Sequence, residues 1–201
     1  MDMFEPKLIY LTRRHPALDR TEFTARWRQH GRLGMSRPRW KNISRYVHCD
    51  IELPGADLSN VLDDYDGIGM IWHRSPTHRS AHLADATSKA EMEADEDETF
   101  AAPIGNVCTV VREEIVLKPD SGSSWKLVRF SDLTEPSPVP PGCTGLILNR
   151  PLPPERADGW GLNCALIEEF WFASREAAEA AAPGLKRDAI LVLGRDAQLY
   201  P

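Results

Sequence analysis

The 201-residue chain lacks several features that would place it in a familiar functional class. No apolar run approaches the length of a membrane span. The opening Met-Asp-Met-Phe-Glu-Pro has no basic stretch followed by an apolar one, so no signal peptide is expected. Basic residues are outnumbered, and the formal net charge of -6 disfavours nucleic acid or an anionic membrane surface as a partner. Cysteine is sparse: Cys49, Cys108, Cys143 and Cys164 form no Cys-x-x-Cys pair and read as free thiols in a reducing, cytoplasmic setting. There is no Gly-rich phosphate loop, no Gly-x-Ser-x-Gly elbow and no His-Glu-x-x-His pattern. His78 and His82 are four residues apart without a third ligand, which reads as a solvated helix face rather than a zinc site.

What is present is periodic. Lys7 to Arg14 alternates as a strand. Arg20 to Gly34 reads as an amphipathic helix with Phe23, Trp27 and His30 on one face. Asp19 followed by Glu22 gives that helix a capping-box start, and Gly31 and Gly34 can end it. Ile43 to Leu53 and Gly67 to His73 read as strands. A helix opens at Ser75-Pro76 and runs towards Lys89. The six carboxylates between Glu91 and Glu98 suggest a solvated helical face, because the spacing and glycine of a calcium loop are absent. Asn106 to Leu117 closes a β-α-β-β-α-β order, the split ferredoxin-like unit.

After the linker-like Lys118 to Ser124, the pattern starts again. Lys126-Leu-Val follows Lys7-Leu-Ile at an offset of 119. Ile167, Trp171 and Ser174 follow Ile68, Trp72 and Ser75 at 99. Val192 follows Val110 at 82. The drop from 119 to 99 removes the first helix of the second half. Thr134 to Pro141, with four prolines, stands in its place and cannot be helical. The expected fold class is therefore α+β, with two tandem ferredoxin-like units over 1–118 and 125–201. The second unit lacks its first helix.

The first half resembles the EthD family of dimeric α+β barrel proteins. The resemblance rests on Lys7-Leu-Ile-Tyr-Leu-Thr-Arg-Arg14, Phe23…Trp27-Arg-Gln-His-Gly31, Arg45-Tyr-Val47, Tyr65-Asp-Gly-Ile68, Trp72 and Ala94-Asp-Glu96. That family often places its histidine four residues after the tryptophan. Here His30 stands three after Trp27, a rotation of about 100° on a helix. The resemblance implies that the two units close one barrel within the chain, which also hides edge strands. It further implies a ligand-holding barrel with decarboxylase, cyclase, dehydratase or oxygenase relatives.

Alternation then suggests which side chains would face a barrel cavity. Met70 and Trp72, with their repeat partners Glu169 and Trp171, form one expected substrate-binding wall. In the second strand Tyr46, His48 and Asp50 alternate with Val47, Cys49 and Ile51. The polar set is expected to face the cavity and the apolar set to pack on helices. His48 or His30 is the expected general base, Tyr46 the hydrogen-bond donor, and Asp50 an orienting group or second acid/base. His73 reads as structural. With no redox motif visible, the first functional expectation is a lyase on a hydrophobic aromatic or polyketide-like molecule, with no cofactor or metal, as a monomer or homodimer. The alternative is a non-catalytic binding or accessory protein, and a third reading is a haem-binding barrel. A barrel filled by its own side chains, with His30 and His48 outside it, would count against the enzyme reading as a whole.

Overall fold

The computed structural model describes residues 4–55, 58–155, 159–185 and 189–200. Strand β1 (Lys7–Thr12) leads to helix α1 (Arg20–Met35), a 3-10 turn (Pro38–Asn42), β2 (Ile43–Ile51) and β3 (Gly67–His73). Helices α2 (Pro76–Leu83) and α3 (Ala86–Thr99) follow, then β4 (Cys108–Leu117). The second half holds β5 (Trp125–Ser131), β6 (Gly145–Pro151), β7 (Leu166–Phe172), α4 (Arg175–Leu185) and β8 (Ala189–Tyr200). The helix expected to run unbroken from Pro76 is divided, with Ser75 capping α2 and Asp85 capping α3. Among the described residues no helix is long and apolar enough to cross a membrane.

All eight strands close into an antiparallel ring in the order β1-β3-β2-β8-β5-β7-β6-β4. The neighbour relations of β1 to β4 recur in β5 to β8. Lys7 pairs with Trp72 and Ile9 with Met70. In the other half Lys126 pairs with Trp171 and Val128 with Glu169. These are the pairs joined by the 119 and 99 offsets. The final offset is 83 rather than 82, since Leu8 pairs with Val110 where Leu127 pairs with Leu193.

The second strand departs more consequentially. Val47 and Cys49 pair with Met70 and Ile68, as Ile147 and Asn149 pair with Glu169 and Ile167. The offset between β2 and β6 is therefore 100, and a ladder irregularity lies between Ile43 and Arg45. A shift of one residue exchanges the faces of a strand. Val47, Cys49 and Ile51 accordingly point into the barrel core with Ile68, Met70 and Trp72. Tyr46 and His48 lie under α1 instead, which corrects the expectation that they face the barrel interior.

Side chains fill that interior across its axis. Lys7 Nζ reaches Glu169 Oε1 at 2.5 Å, Glu113 Oε2 at 2.7 Å and Asn149 Oδ1 at 2.9 Å. Lys126 Nζ reaches Glu169 Oε2 at 2.9 Å and Asp196 Oδ1 at 2.7 Å. The two ammoniums also sit over the rings of Trp72 and Trp171, at 4.5 and 4.8 Å from their centroids. Burial pushes the Glu169 carboxyl up, but Lys126 and Lys7 outweigh it and hold it below the usual carboxylate range. Met70, Trp72 and Glu169 are thus parts of a packed, ion-paired core rather than walls of an open barrel cavity, and Trp171 is half-buried beneath Lys126.

Outside the barrel the two halves are covered differently. Helix α1 lays Phe23 and Trp27 on the first half. The outer face of the second half is covered by α4, with Val61 from the β2–β3 connection. The proline-rich segment contributes a polar cap: Ser137 N donates to Glu168 Oε1 at 2.6 Å, and Glu168 Oε2 pairs with Arg129 at 2.5 Å.

Candidate active site between the helices and the sheet

The pocket lies where the first half has helices and the second does not fully repeat them. It is a cavity of about 530 Å³ between α1, α2, α3 and the outer face of β1, β2, β3 and β4. Its apolar walls include Leu8, Trp40, Ile71, Met92 and Ile104. His30, Tyr10, Tyr46, His73, His82, Arg39 and Glu96 also line it. A mostly apolar cleft with a few convergent polar groups is the general form of a small-molecule site.

Each polar group is held by a local cause. Helix α1 starts on a complete capping box between Asp19 and Glu22. That start sets Phe23, Trp27 and His30 on its buried face. His30 Nδ1 faces Asp95 Oδ2 at 2.7 Å, and Asp95 Oδ1 is gripped by Arg26 at 2.6 Å. A carboxylate can only accept, so Nδ1 carries the proton and Nε2 keeps its lone pair. Burial pushes His30 below its ordinary range, opposed by Asp95.

Behind the pocket runs a buried relay. Arg28 Nη1 donates to His48 Nδ1 at 2.6 Å, and the other end of that guanidinium pairs with Asp50. A guanidinium donates only, so the His48 proton sits on Nε2 and is given to Tyr46 Oη at 2.5 Å. Tyr46 Oη meets Tyr10 Oη at 3.3 Å, and Trp27 Nε1 donates to Tyr10 Oη at 3.1 Å. Whichever tyrosine donates to the other, the second hydroxyl proton has no acceptor within this chain of bonds. Burial pushes Tyr10 up to about 12 and Tyr46 up as well, so both are neutral donors. Burial and the Arg28 charge push His48 well down, so its ring is neutral. It also stacks on Trp27 with centroids 3.7 Å apart.

Of the groups expected to carry chemistry, the structure brings His30 and Tyr46 into one pocket. His48 stands behind Tyr46 with both ring nitrogens engaged, and Asp50 is reached only through Arg28. Trp72, Met70 and Glu169 are in the barrel core, with Trp171 half-buried against Lys126.

Glu96 was hidden in the acidic stretch. It lines the pocket, accepts a hydrogen bond from Ile104 N at 2.9 Å, and is pushed by burial up to about 7. Its signal in the sequence was the spacing of Met92, Glu96 and Thr99, one inward stripe on an otherwise charged helix. His73 and His82 meet edge to face at 5.1 Å and are pushed by burial down to about 3 and about 4. His82 is therefore not on a solvated face. Arg79 is held by Glu155, with Nε to Oε1 and Nη2 to Oε2 both at 2.8 Å.

No curated protein matches the sequence. Solved structures match over nearly the whole chain, at identities that speak to fold alone. One is an anthrone oxidase-like protein at 11% identity and a TM-score of 0.60, covering 98% of this chain and 94% of that one. A proposed monooxygenase from Lactobacillus acidophilus NCFM is 9% identical with a TM-score of 0.51, over 98% and 96% of the two chains. A proposed chlorite dismutase is 11% identical with a TM-score of 0.53, over 97% and 96%. The EthD domain family model matches residues 15–104, the span that contributes α1, α2, α3 and most of the pocket.

Proposed function

We propose that the protein is a small-molecule enzyme that carries out acid–base chemistry on a hydrophobic, ring-bearing ligand in the helix–sheet pocket. The observation that carries this reading is that His30, oriented by Asp95 at 2.7 Å, shares one cavity with the Tyr10–Tyr46 hydroxyl pair and Glu96, and that burial moves the two titratable groups in opposite directions, His30 down and Glu96 up to about 7. Such a divergence assigns the roles of base and acid. His30, oriented by Asp95, takes a proton from a carbon next to a carbonyl. The tyrosine pair donates to the enolate oxygen, and Glu96 in its acid form returns a proton to the product or leaving group. His48 is a positioning residue that acts through Tyr46, and Asp50 acts through Arg28. Dehydrations and aldol-type cyclisations fit this sequence of steps; the barrel site expected for a lyase is filled by side chains, so this reading is a new one that rests on the helix–sheet pocket. The name of one fold relative, an anthrone oxidase-like protein, supports a ring-bearing ligand.

We also read 1–118 and 125–201 as two ferredoxin-like units, the second without its first helix. The repeated strand order and the paired registers of Lys7/Trp72 and Lys126/Trp171 support this.

The test is deuterium exchange into anthrone, an enolisable tricyclic ketone, followed by NMR, with calorimetry for binding. His30→Gln is expected to slow catalysed exchange by about 10²- to 10⁴-fold with little change in binding. The wild-type rate should fall as pH rises through about 7, and Glu96→Gln should lack that limb. Binding without any catalysed exchange would instead establish a carrier.

A further inference from the structure

Arg39 is a cation of the pocket that the acid–base reading leaves unused. It lies on the 3-10 turn between α1 and β2, and its side chain lines the cavity beside Trp40. Its main-chain carbonyl is occupied, accepting from Asn42 Nδ2 and His82 Nδ1, so the backbone there is pinned. The side chain is different. Its Nε is buried without a hydrogen-bond partner among the described residues, and so is the indole Nε1 of the adjacent Trp40. The carboxylates of Asp85, Glu96 and Glu93 act on the guanidinium through space only. Arg79, the other arginine of the pocket, contrasts with it, being closed by a two-bond fork to Glu155.

Arg39 is half-buried, and a charged donor partly removed from water without an acceptor is costly. An arginine side chain at the wall of a cavity with no hydrogen bond or ion pair among the described residues marks a place where a ligand supplies the acceptors. We propose that the ligand carries a carboxylate, which docks against the Arg39 guanidinium while its ring system occupies the apolar part of the pocket. The guanidinium fork matches the two oxygens of a carboxylate, and a neutral carbonyl would satisfy only one donor. The neighbouring acids do not oppose this strongly. Glu93 is exposed and pairs with Lys89 at 3.5 Å, and Glu96 is held partly in its acid form at neutral pH. The inference rests on the pocket reading above and adds the ligand's charge to it.

Calorimetric titration at pH 7.5 with 2-naphthoate and with 2-naphthamide tests it. These share a ring system and differ in charge at the side group. The acid is expected to bind the wild-type protein about tenfold or more tightly than the amide. Arg39→Met, which keeps the length of the chain, is expected to abolish that preference and leave amide affinity within about twofold. Equal binding of acid and amide by the wild type overturns the proposal while leaving the pocket reading standing, and this comparison needs no variant to fold. Persistence of the acid preference in Arg39→Met also overturns it. Binding of neither probe removes the pocket reading, and the carboxylate site falls with it.

Discussion

Burial acts in opposite directions on two residues that share the pocket wall, because a carboxylic acid is neutral when protonated and an imidazole when deprotonated. Glu96 is therefore moved up and His30 down by the same loss of water. The consequence for stability can be measured separately from activity. With its carboxyl raised from 4.5 to about 7, the native state binds the Glu96 proton more tightly than the unfolded chain does between those values. Its contribution is thus fully present below about 4.5 and is lost as pH rises through about 7. Glu96→Gln keeps an acceptor for Ile104 N. It should melt higher than the wild type at pH 8 and no higher at pH 5, as followed by circular dichroism. A wild type that melts higher than Glu96→Gln at pH 8 would contradict the raised carboxyl. At this scale the sequence was only partly legible. His30 and Tyr46 could be singled out as chemistry-bearing, but Glu96 and Arg39 look like ordinary surface charges, because nothing in a run of acids or a turn arginine tells which member faces inward.

At the scale of elements, the pocket depends on how closely α1 and β1 approach β3. The outer face of β3 carries Gly67 and Gly69 before Ile71 and His73, and the two glycines form a trough for aromatic rings. A Cβ on Gly69 would lie 1.9 Å from Tyr10 Cζ, and one on Gly67 would lie 2.3 Å from Trp27 Cζ3. Gly69→Ala should therefore displace Tyr10 and with it the contact to Tyr46. A loss of about 1–3 kcal/mol in urea unfolding is expected, as for other overpacked cores, and an unchanged midpoint would show that the ring can move aside freely. The extent of α1, its capping box and its aromatic face were legible from periodicity. The direction of β2 was not. Alternation divides a strand into two faces but does not say which is inside. The sorting of apolar residues towards the helices failed because both sides of this strand are buried, the barrel core being the more apolar and the helix side holding the Arg28–His48–Tyr46–Tyr10 relay.

For the whole molecule, closure of eight strands creates an interior that must be filled, and the filling here is partly ionic. Glu169 lies between two lysines that come from different halves of the chain and are both fully buried. Replacing it with leucine keeps much of the volume but removes the shared acceptor, leaving Lys7 with Glu113 and Lys126 with Asp196. Removal of one partner from a buried ionic cluster costs about 3–5 kcal/mol, so Glu169→Leu should unfold at markedly lower urea concentration. An unaltered midpoint would mean that the outer carboxylates suffice to hold both lysines. The order of the strands, the repeat with its stepped offsets and the EthD resemblance of the first half were determined by sequence alone, since each is a local pattern that survives without knowledge of contacts. Which space stays open was decided only by tertiary structure. Lysine and glutamate side chains long enough to span the barrel meet across its axis and fill it. The cavity is left where α1 and α3 are held off the sheet by the aromatic rings between them, and a one-residue ladder irregularity in β2 decides which of its side chains look into that cavity.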